Sequence, residues 1–353
     1  MQLVRVRLVR LGPFDDLVIP FADDRGQPRR MTVVHGGGGV GKTTLVSAIA
    51  STRPGHCAVV TPVFDRSSPN RGFAVADWRL DDEDPARPHA LRVASPNASL
   101  DEPEEAARLR RRECALFDKQ AEDGGFMFLA IPGVRWFSRQ HIALNAPLRT
   151  VLRHDAKATV SFDDATRADL TREVKQALCY AAITGALASC ADSRLAAYQA
   201  RELEAAMHGT VDAMTRLAGY RYVGVDPTTF EPTFESREGA LVPFDLLPTA
   251  ARHLASFGAL PVRALFAAFR DKDPRQSQGV VVIDDAAMHL DAAAQHALPS
   301  VLCSVLPRVQ WILTTTSADL AAGCESSRDI VALRRMPSSR RVEVFLGEEA
   351  TLH

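Results

Sequence analysis

The chain has 353 residues, of which 46% are hydrophobic and 24% charged, an ordinary globular mix that excludes disorder, collagen-like repeats and a long coiled coil. At about 150 residues per domain, this length fits a little over two units or one large domain with an inserted lobe. Lys and Arg number 42 against 43 Asp and Glu, a net charge of −1, so no global positive field would hold nucleic acid or an anionic membrane.

Met1 to Arg10 interleaves Arg5, Arg7 and Arg10 with apolar residues, so it lacks the unbroken apolar stretch and cleavage site of a signal peptide. No apolar run approaches the roughly 18 residues that span a bilayer, and the expectation is a cytoplasmic protein without membrane insertion. Val4, Val6 and Leu8 alternate with Arg5 and Arg7 as in a half-buried strand, and Leu17–Phe21 reads as its hairpin partner after Gly12-Pro13. Met31–His35 is a short apolar strand that runs into four glycines, and a helix is expected from Lys42 to about Ser51. The runs at 56–64, 72–80 and 89–95, separated by Pro, Ser, Asn and Asp clusters, read as a small antiparallel meander. A charged helix is expected after the Pro and acidic residues of 100–105.

The middle third reads as a helical lobe. Leu170, Val174, Leu178 and Ala181 recur at helical spacing after the start signal Asp163-Asp164. Leu195, Tyr198, Met207, Val211 and Met214 continue that spacing along another helix. Strand signals return after 220, and 279–284 and 309–315 are continuous β-branched runs of the kind buried on both faces of a parallel sheet. Residues 330–346 read as a closing hairpin through Pro337-Ser338-Ser339. The six cysteines, at 57, 114, 179, 190, 303 and 324, show no metal-ligand spacing and are expected to be reduced thiols, mostly filling the core.

The strongest signal is GGGGVGKT, Gly36, Gly37, Gly38, Gly39, Val40, Gly41, Lys42 and Thr43, which fits G-x-x-x-x-G-K-S/T with a strand before it and a helix after it. Phosphate oxygens must meet a row of backbone N–H groups at a helix N-terminus, and glycine lets the chain curl closely around them. Lys42 is expected to reach the β- and γ-phosphates of ATP, the Thr43 hydroxyl to ligate Mg²⁺, and Thr44 to support the α-phosphate side. Such a loop needs a further acid for the metal. The strand Val280–Ile283 ends in Asp284, the expected Mg²⁺ ligand, and Asp285, placed to polarise an attacking water.

IDDAAMHLD (Ile283–Asp291) followed by VQWILTTTSADL (Val309–Leu320) resembles the end of the ABC-type ATPases of the RecF, SMC and OLD group. VRVRLVRLGPFDDLVIPF ahead of the glycines resembles the opening of the same group, and Gly219–Phe257 resembles the stretch leading to its signature in OLD-like members. The resemblance covers roughly residues 1–50 and 219–346 and implies an α/β P-loop ATPase of ABC-head type. Its central sheet would be mainly parallel, with a small antiparallel sheet and a helical lobe beside it. It implies one domain over 1–353, with a β-subdomain at 1–100, the lobe at 101–218 and a C-terminal part at 219–353.

The departures carry weight. Asp285 stands where the group has a glutamate, Thr316 where it has a switch histidine, and Leu247-Pro248-Thr249-Ala250 where it has L-S-x-G. His289, Leu290 and Asp291 keep the loop that crosses the family's dimer interface, and Gln140 is the nearest candidate for a Q-loop glutamine. Arg108, Arg110, Arg111 and Arg112 are flanked by Glu104, Glu105 and Glu113, a solvated ion-paired face more than a nucleic-acid site. Arg135, Trp136, Phe137 and Arg139 offer either a nucleotide grip or a packed lobe junction, and His35 reads as a structural strand end.

The resemblance implies heads that sandwich two nucleotides in a homodimer or heteromer and act on a partner, in DNA maintenance or anti-phage defence. Hydrolysis is expected to be slow. A non-hydrolysing nucleotide sensor is the alternative, and a phosphotransferase is disfavoured. Little chain follows the second acidic strand, so any nuclease effector is expected on a separate chain.

Overall fold

The computed structural model describes residues 1–57, 72–79, 90–120, 125–140, 142, 168–190, 193–337 and 341–351, with residues 56, 57 and 118–120 described by backbone alone. The expected helix start at Asp163-Asp164, most of the run at 56–64 and the turn residues Ser338-Ser339 lie outside them.

β1 (Gln2–Leu11) and β2 (Phe14–Pro20) pair as a hairpin about Gly12 and Pro13. β3 (Met31–Gly36) feeds the glycine loop and α1 (Lys42–Ser51), which the short strands β4 (Thr52–Arg53) and β5 (His56–Cys57) follow. β6 (Phe73–Arg79) and β7 (Leu91–Ala94) complete an antiparallel sheet of order β2-β1-β6-β7. From Arg5 to Leu8 the alternation in β1 is as expected, with Val6 and Leu8 buried and Arg5 and Arg7 exposed, and it breaks on either side. Leu3, Val6, Leu8 and Leu11 are buried while Val4 is half-buried, because a bulge between Leu3 and Arg5 and a left-handed Arg10 each shift the pleat by one residue.

α2 (Glu104–Gln120) precedes β8 (Phe128–Ile131), a strand for which the sequence carried no expectation. The helices α3 (Thr171–Ala186) and α4 (Arg194–Arg216) lead to β9 (Tyr220–Val225), β10 (Pro232–Ser236) and β11 (Leu241–Pro243), a small antiparallel sheet. α5 (Thr249–Ala268), β12 (Gly279–Ile283), α6 (Ala292–Val305), β13 (Val309–Thr315) and α7 (Ala318–Ala322) follow. The hairpin β14 (Ile330–Arg335) and β15 (Val342–Leu346), then α8 (Glu348–Thr351), close the described chain.

Among the described residues the central sheet has the order β15-β14-β3-β13-β12-β8, parallel throughout except for β15. Its strands alternate between two cores, as strands covered on both faces must. Val33, Leu129, Ile131, Val281, Ile283, Trp311 and Leu313 face a core shared with α3 to α6, whereas Val34, Phe128, Val280, Val282, Ile312 and Val331 face one shared with α1 and the N-terminal sheet. Burying a side chain of this size is worth about 1.5–3 kcal/mol. α1 carries buried residues around its whole circumference, Thr44 to Ala50, because it lies between the two sheets. Gln310 bolts the sheets together: its side-chain amide accepts from Leu3 N at 2.7 Å and donates to Leu3 O at 2.9 Å, replacing a strand neighbour.

Two readings need correction. On α4 the buried residues begin at Leu203, and Leu195 and Tyr198 are exposed, so their helical spacing does not mark a core face. Of the cysteines whose side chains are described, Cys179 is buried, Cys114, Cys303 and Cys324 are half-buried and packed against the two cores, and Cys190 is exposed, so core filling fails for Cys190.

Candidate functional site

The glycine loop lies at the C-terminal ends of the parallel strands. Gly39 (φ 72°) and Gly41 (φ 97°) take left-handed conformations, and a Cβ on Gly41 would meet the Phe14 ring at 2.6 Å and Pro13 at 2.7 Å. The β1–β2 turn therefore supports the loop from beneath. A Cβ on Gly36 would meet Leu333 O at 2.5 Å, whereas Gly37, Gly38 and Gly39 have nothing within 4 Å on that side. The loop is packed at both ends and open in the middle. Val40 is buried in the core beneath, and Thr44 is buried in the first turn of α1. That turn contains no acidic residue and Gly41 provides no side-chain cap, so nothing within α1 itself offsets its N-terminal dipole.

Lys42 folds its side chain back over the loop and donates from Nζ to Gly36 O at 2.7 Å and Gly37 O at 2.8 Å. Burial lowers its pKa, opposed by the charges of Asp284 and Asp285. Thr43 Oγ1 donates to Asp284 Oδ2 at 2.8 Å, and Thr314 Oγ1 donates to Asp284 Oδ1 at 2.5 Å. Burial pushes the Asp284 carboxyl above the usual range, with Asp285 adding to it, while those two hydroxyls and Arg135 act against the shift. An open glycine cradle, a lysine over it, and a hydroxyl paired with a buried carboxylate form a donor set that suits a nucleotide phosphate and Mg²⁺. Thr43 and Asp284 would hold the metal, and Lys42 with the loop N–H groups would hold the phosphates.

Asp285 is half-buried and left-handed, with φ 47°. Its N–H donates to Thr314 Oγ1 at 2.9 Å and its carbonyl accepts from Arg135 Nη2 at 2.8 Å. Thr316, one residue past β13, is exposed and supplies a hydroxyl where an imidazole was the family pattern. In the loop that follows Asp285, His289 is exposed and left-handed (φ 66°), Leu290 is buried, and Asp291 caps α6 by accepting from Ala294 N at 2.8 Å. Gln295 ties that loop to the switch segment, donating to Leu290 O at 2.6 Å and accepting from the Ser317 hydroxyl.

Several of these residues carried no expectation. Thr314 is central to the site, and its only sequence signal is a place in the threonine run that ends an apolar strand. Gly133 follows β8, and a Cβ there would lie 3.0 Å from Asp284 Oδ2. Arg135, read as a nucleotide grip or a packed junction, is buried beneath the acids and holds their backbone. Phe137 packs edge-on to Phe244 and His253. Gln140 turns its amide to Asp169 Oδ2 at 2.6 Å, and its carbonyl accepts from the buried Lys175 at 3.0 Å. His35 pairs in register with Thr315 and Ala332 inside the sheet and lines a cavity of about 540 Å³ beside the loop. In the arginine cluster, Arg108 pairs with Glu104 and Arg110 with Glu102, at 3.1 and 2.7 Å. No helix among the described residues is long and apolar enough to cross a membrane.

No protein-family model and no curated protein matches the chain. Solved structures do. An SMC head bound to the C-winged helix domain of ScpA is similar at 13% identity, over 99% of this chain and 99% of that one, with a TM-score of 0.53. The SMC head domain from Thermotoga maritima has 11% identity over 99% and 100% of the two chains and a TM-score of 0.48. An SMC head with an extended coiled coil, bound to the C-terminal domain of ScpA derived from Pyrococcus furiosus, has 13% identity over 98% and 96%, with a TM-score of 0.49. At 13% identity the likeness with a TM-score of 0.53 is one of fold: an α/β P-loop architecture of ABC-head type.

Proposed function

We propose that this chain is a Mg²⁺·ATP-dependent ATPase head of the RecF, SMC and OLD-like kind, whose slow hydrolysis switches head-to-tail dimerisation and thereby acts on a partner. The observation that carries the reading is the hydrogen bond from Thr43 to Asp284 at the lip of an open glycine cradle. It joins the hydroxyl and the acid that a nucleotide-bound metal needs, one from the first turn of α1 after β3 and the other from the end of β12, the two strands that flank β13. Mg²⁺ bound there would neutralise charge on the phosphates. The chain's own residues do the rest: the loop N–H groups and Lys42 orient the phosphates, and Asp285 holds and polarises the attacking water.

The exposed hydroxyl of Thr316 and the shorter reach of Asp285 support slow turnover and favour a second reading, a nucleotide sensor that binds without hydrolysing. A partner protein is part of both readings, since an SMC head of this fold is described bound to the C-winged helix domain of ScpA. DNA maintenance and anti-phage defence are the settings in which such heads would act, and the paired arginines of α2 give little support for a nucleic-acid contact there. Binding of a fluorescent ATP analogue with Mg²⁺ and with EDTA, followed by multiple-turnover phosphate release, tests both readings. Absence of binding overturns both, and Mg²⁺-dependent binding without release selects the sensor.

A further inference from the structure

Arg135 lies under the two acids and spends its guanidinium on them. Nη1 donates to Asp284 O at 2.6 Å and Pro132 O at 3.1 Å, Nη2 donates to Asp285 O at 2.8 Å, and Nε donates to His253 Nδ1 at 2.7 Å. The planar fork stacks 5.0 Å above the Phe257 ring. Lysine has neither the span nor the fixed geometry to make this set of bonds. His253 and Phe257 both belong to α5, one turn apart, so a single helix supplies the acceptor and the ring that fix Arg135.

His253 faces two ways. Its Nδ1 accepts from Arg135, and its ring lies 5.2 Å from the ring of His289, in the loop that follows Asp285. Burial, aided by Arg135, His289 and Arg252, pushes its pKa down to about 2, so the ring is neutral and its proton sits on Nε2. Among the described residues Nε2 is buried without a hydrogen-bond partner, an arrangement that costs stability. A phenylalanine would fill the same place without that cost but would offer Arg135 no acceptor. The acceptor is what the imidazole contributes here.

Asp285 needs such support. Left-handed backbone is a minority conformation for a residue with a side chain. Its N–H is pinned by Thr314 from β13 and its carbonyl by Arg135. Releasing the second pin frees the peptide that aims the carboxylate.

We propose that Arg135 and His253 form a positioning pair that transmits the placement of the N-terminal turn of α5 to the carboxylate of Asp285. α5 starts at Thr249, inside the signature-like Leu247–Ala250 segment, and His253 stands in its second turn. A partner that presses on this segment shifts His253, then the Arg135 fork, then the Asp285 carbonyl. Engagement of a protomer's own α5 end thereby sets that protomer's own acid. The inference rests on the reading of Asp285 as the water-polarising group.

The test compares His253→Phe, His253→Gln, Arg135→Lys and the His253→Phe/Arg135→Lys double variant with the parent, after thermal melts confirm folding. His253→Phe is expected to keep affinity for a fluorescent ATP analogue within about twofold while turnover falls on the order of tenfold to a hundredfold. His253→Gln, whose amide oxygen can accept from Arg135, is expected to recover most of the rate. The double variant is expected to be no slower than Arg135→Lys alone. Unchanged turnover in a folded His253→Phe protein overturns the pairing and leaves the ATPase reading standing. Should the parent bind nucleotide without hydrolysing it, the ATPase reading fails and amide hydrogen exchange decides the pairing. Faster exchange across 284–290 in His253→Phe, restored in His253→Gln, supports it, and equal protection in all three proteins overturns it. If His253→Phe does not fold, His253→Leu, which also lacks an acceptor, takes its place with the same expected loss, and parental turnover and exchange in it overturn the pairing.

Discussion

The hydroxyl of Thr43 donates to the carboxylate of Asp284 at 2.8 Å, across a sequence separation of 241 residues. The first turn of α1 and the end of β12 are thus joined at the point where a nucleotide-bound cation would need both.

Thr43→Ala is expected to remove the Mg²⁺-dependent part of nucleotide affinity and leave the EDTA-resistant part. Titration of a fluorescent ATP analogue with and without the metal measures both. Equal Mg²⁺ enhancement in variant and parent would count against the metal assignment.

Asp284→Asn is expected to lose the same enhancement while melting at or above the parent's temperature at neutral pH. The sign follows from burial, which raises the folded-state pKa of this carboxyl. An acid so raised holds its proton more tightly when folded, so ionisation costs stability as pH climbs through that raised value. The amide removes the charge and can still bond Thr43 and Thr314. A melt well below the parent's would show that the ionised form is needed for folding.

The glycines separate loop shape from phosphate access. Gly41→Ala puts a methyl against Phe14 and strains a left-handed backbone, so a loss of about 1–3 kcal/mol in stability is expected. Gly37→Ala meets nothing within 4 Å and should melt like the parent, yet bind nucleotide more weakly because its methyl enters the open cradle. Lys42→Ala should also stay folded and lose ATP binding. Chemical denaturation beside binding titration distinguishes the three, and intact binding in Lys42→Ala would sink the site.

Steady-state turnover of the parent should be slow and should fall further in Asp285→Asn. Asp285→Glu gains a methylene of reach but places a longer side chain in a left-handed residue. A net gain would show that reach limits the rate. Brisk parental hydrolysis that survives Asp285→Asn would mean that another group positions the water.

Thiol labelling should be ordered by environment. Cys190 is exposed and should react first among the described cysteines, whereas burial pushes the thiols of Cys179 and Cys324 up to about 12 and keeps them protonated near neutrality. Peptide mapping after brief alkylation at pH 8 checks this. Early modification of Cys179 would mean that α3 opens readily.

Much of this architecture is legible in the residues. GGGGVGKT and VVVIDD declare their strands and loops because phosphate chemistry and double-sided burial leave few alternatives. β8 was not legible. Phe126–Ile131 is a short apolar run after a charged helix, and only pairing with β12 makes it a strand. Thr314 was missed because a threonine closing a β-branched run looks like strand propensity, and only the neighbouring strand shows that its hydroxyl holds both acids. Arg135 was ambiguous because an arginine beside aromatics looks the same in a sequence whether it grips a ligand or a backbone. Leu195 and Tyr198 had the right period for a core that does not extend to them.

β3 lies between β13 and β14, so the strand that presents the glycine loop pairs, among the described residues, with strands that are made long after it. A nascent chain that stops short of Val309 has both edges of β3 unpaired. The N-terminal sheet can begin to pair earlier, since the strand partners of β1, β2, β6 and β7 are one another, although the Gln310 bond to Leu3 and the shared core come later. The nucleotide cradle cannot. Emergence of ATP binding during translation would therefore be a late, all-at-once event, and the waiting strand is a target for chaperones until β13 and β14 arrive.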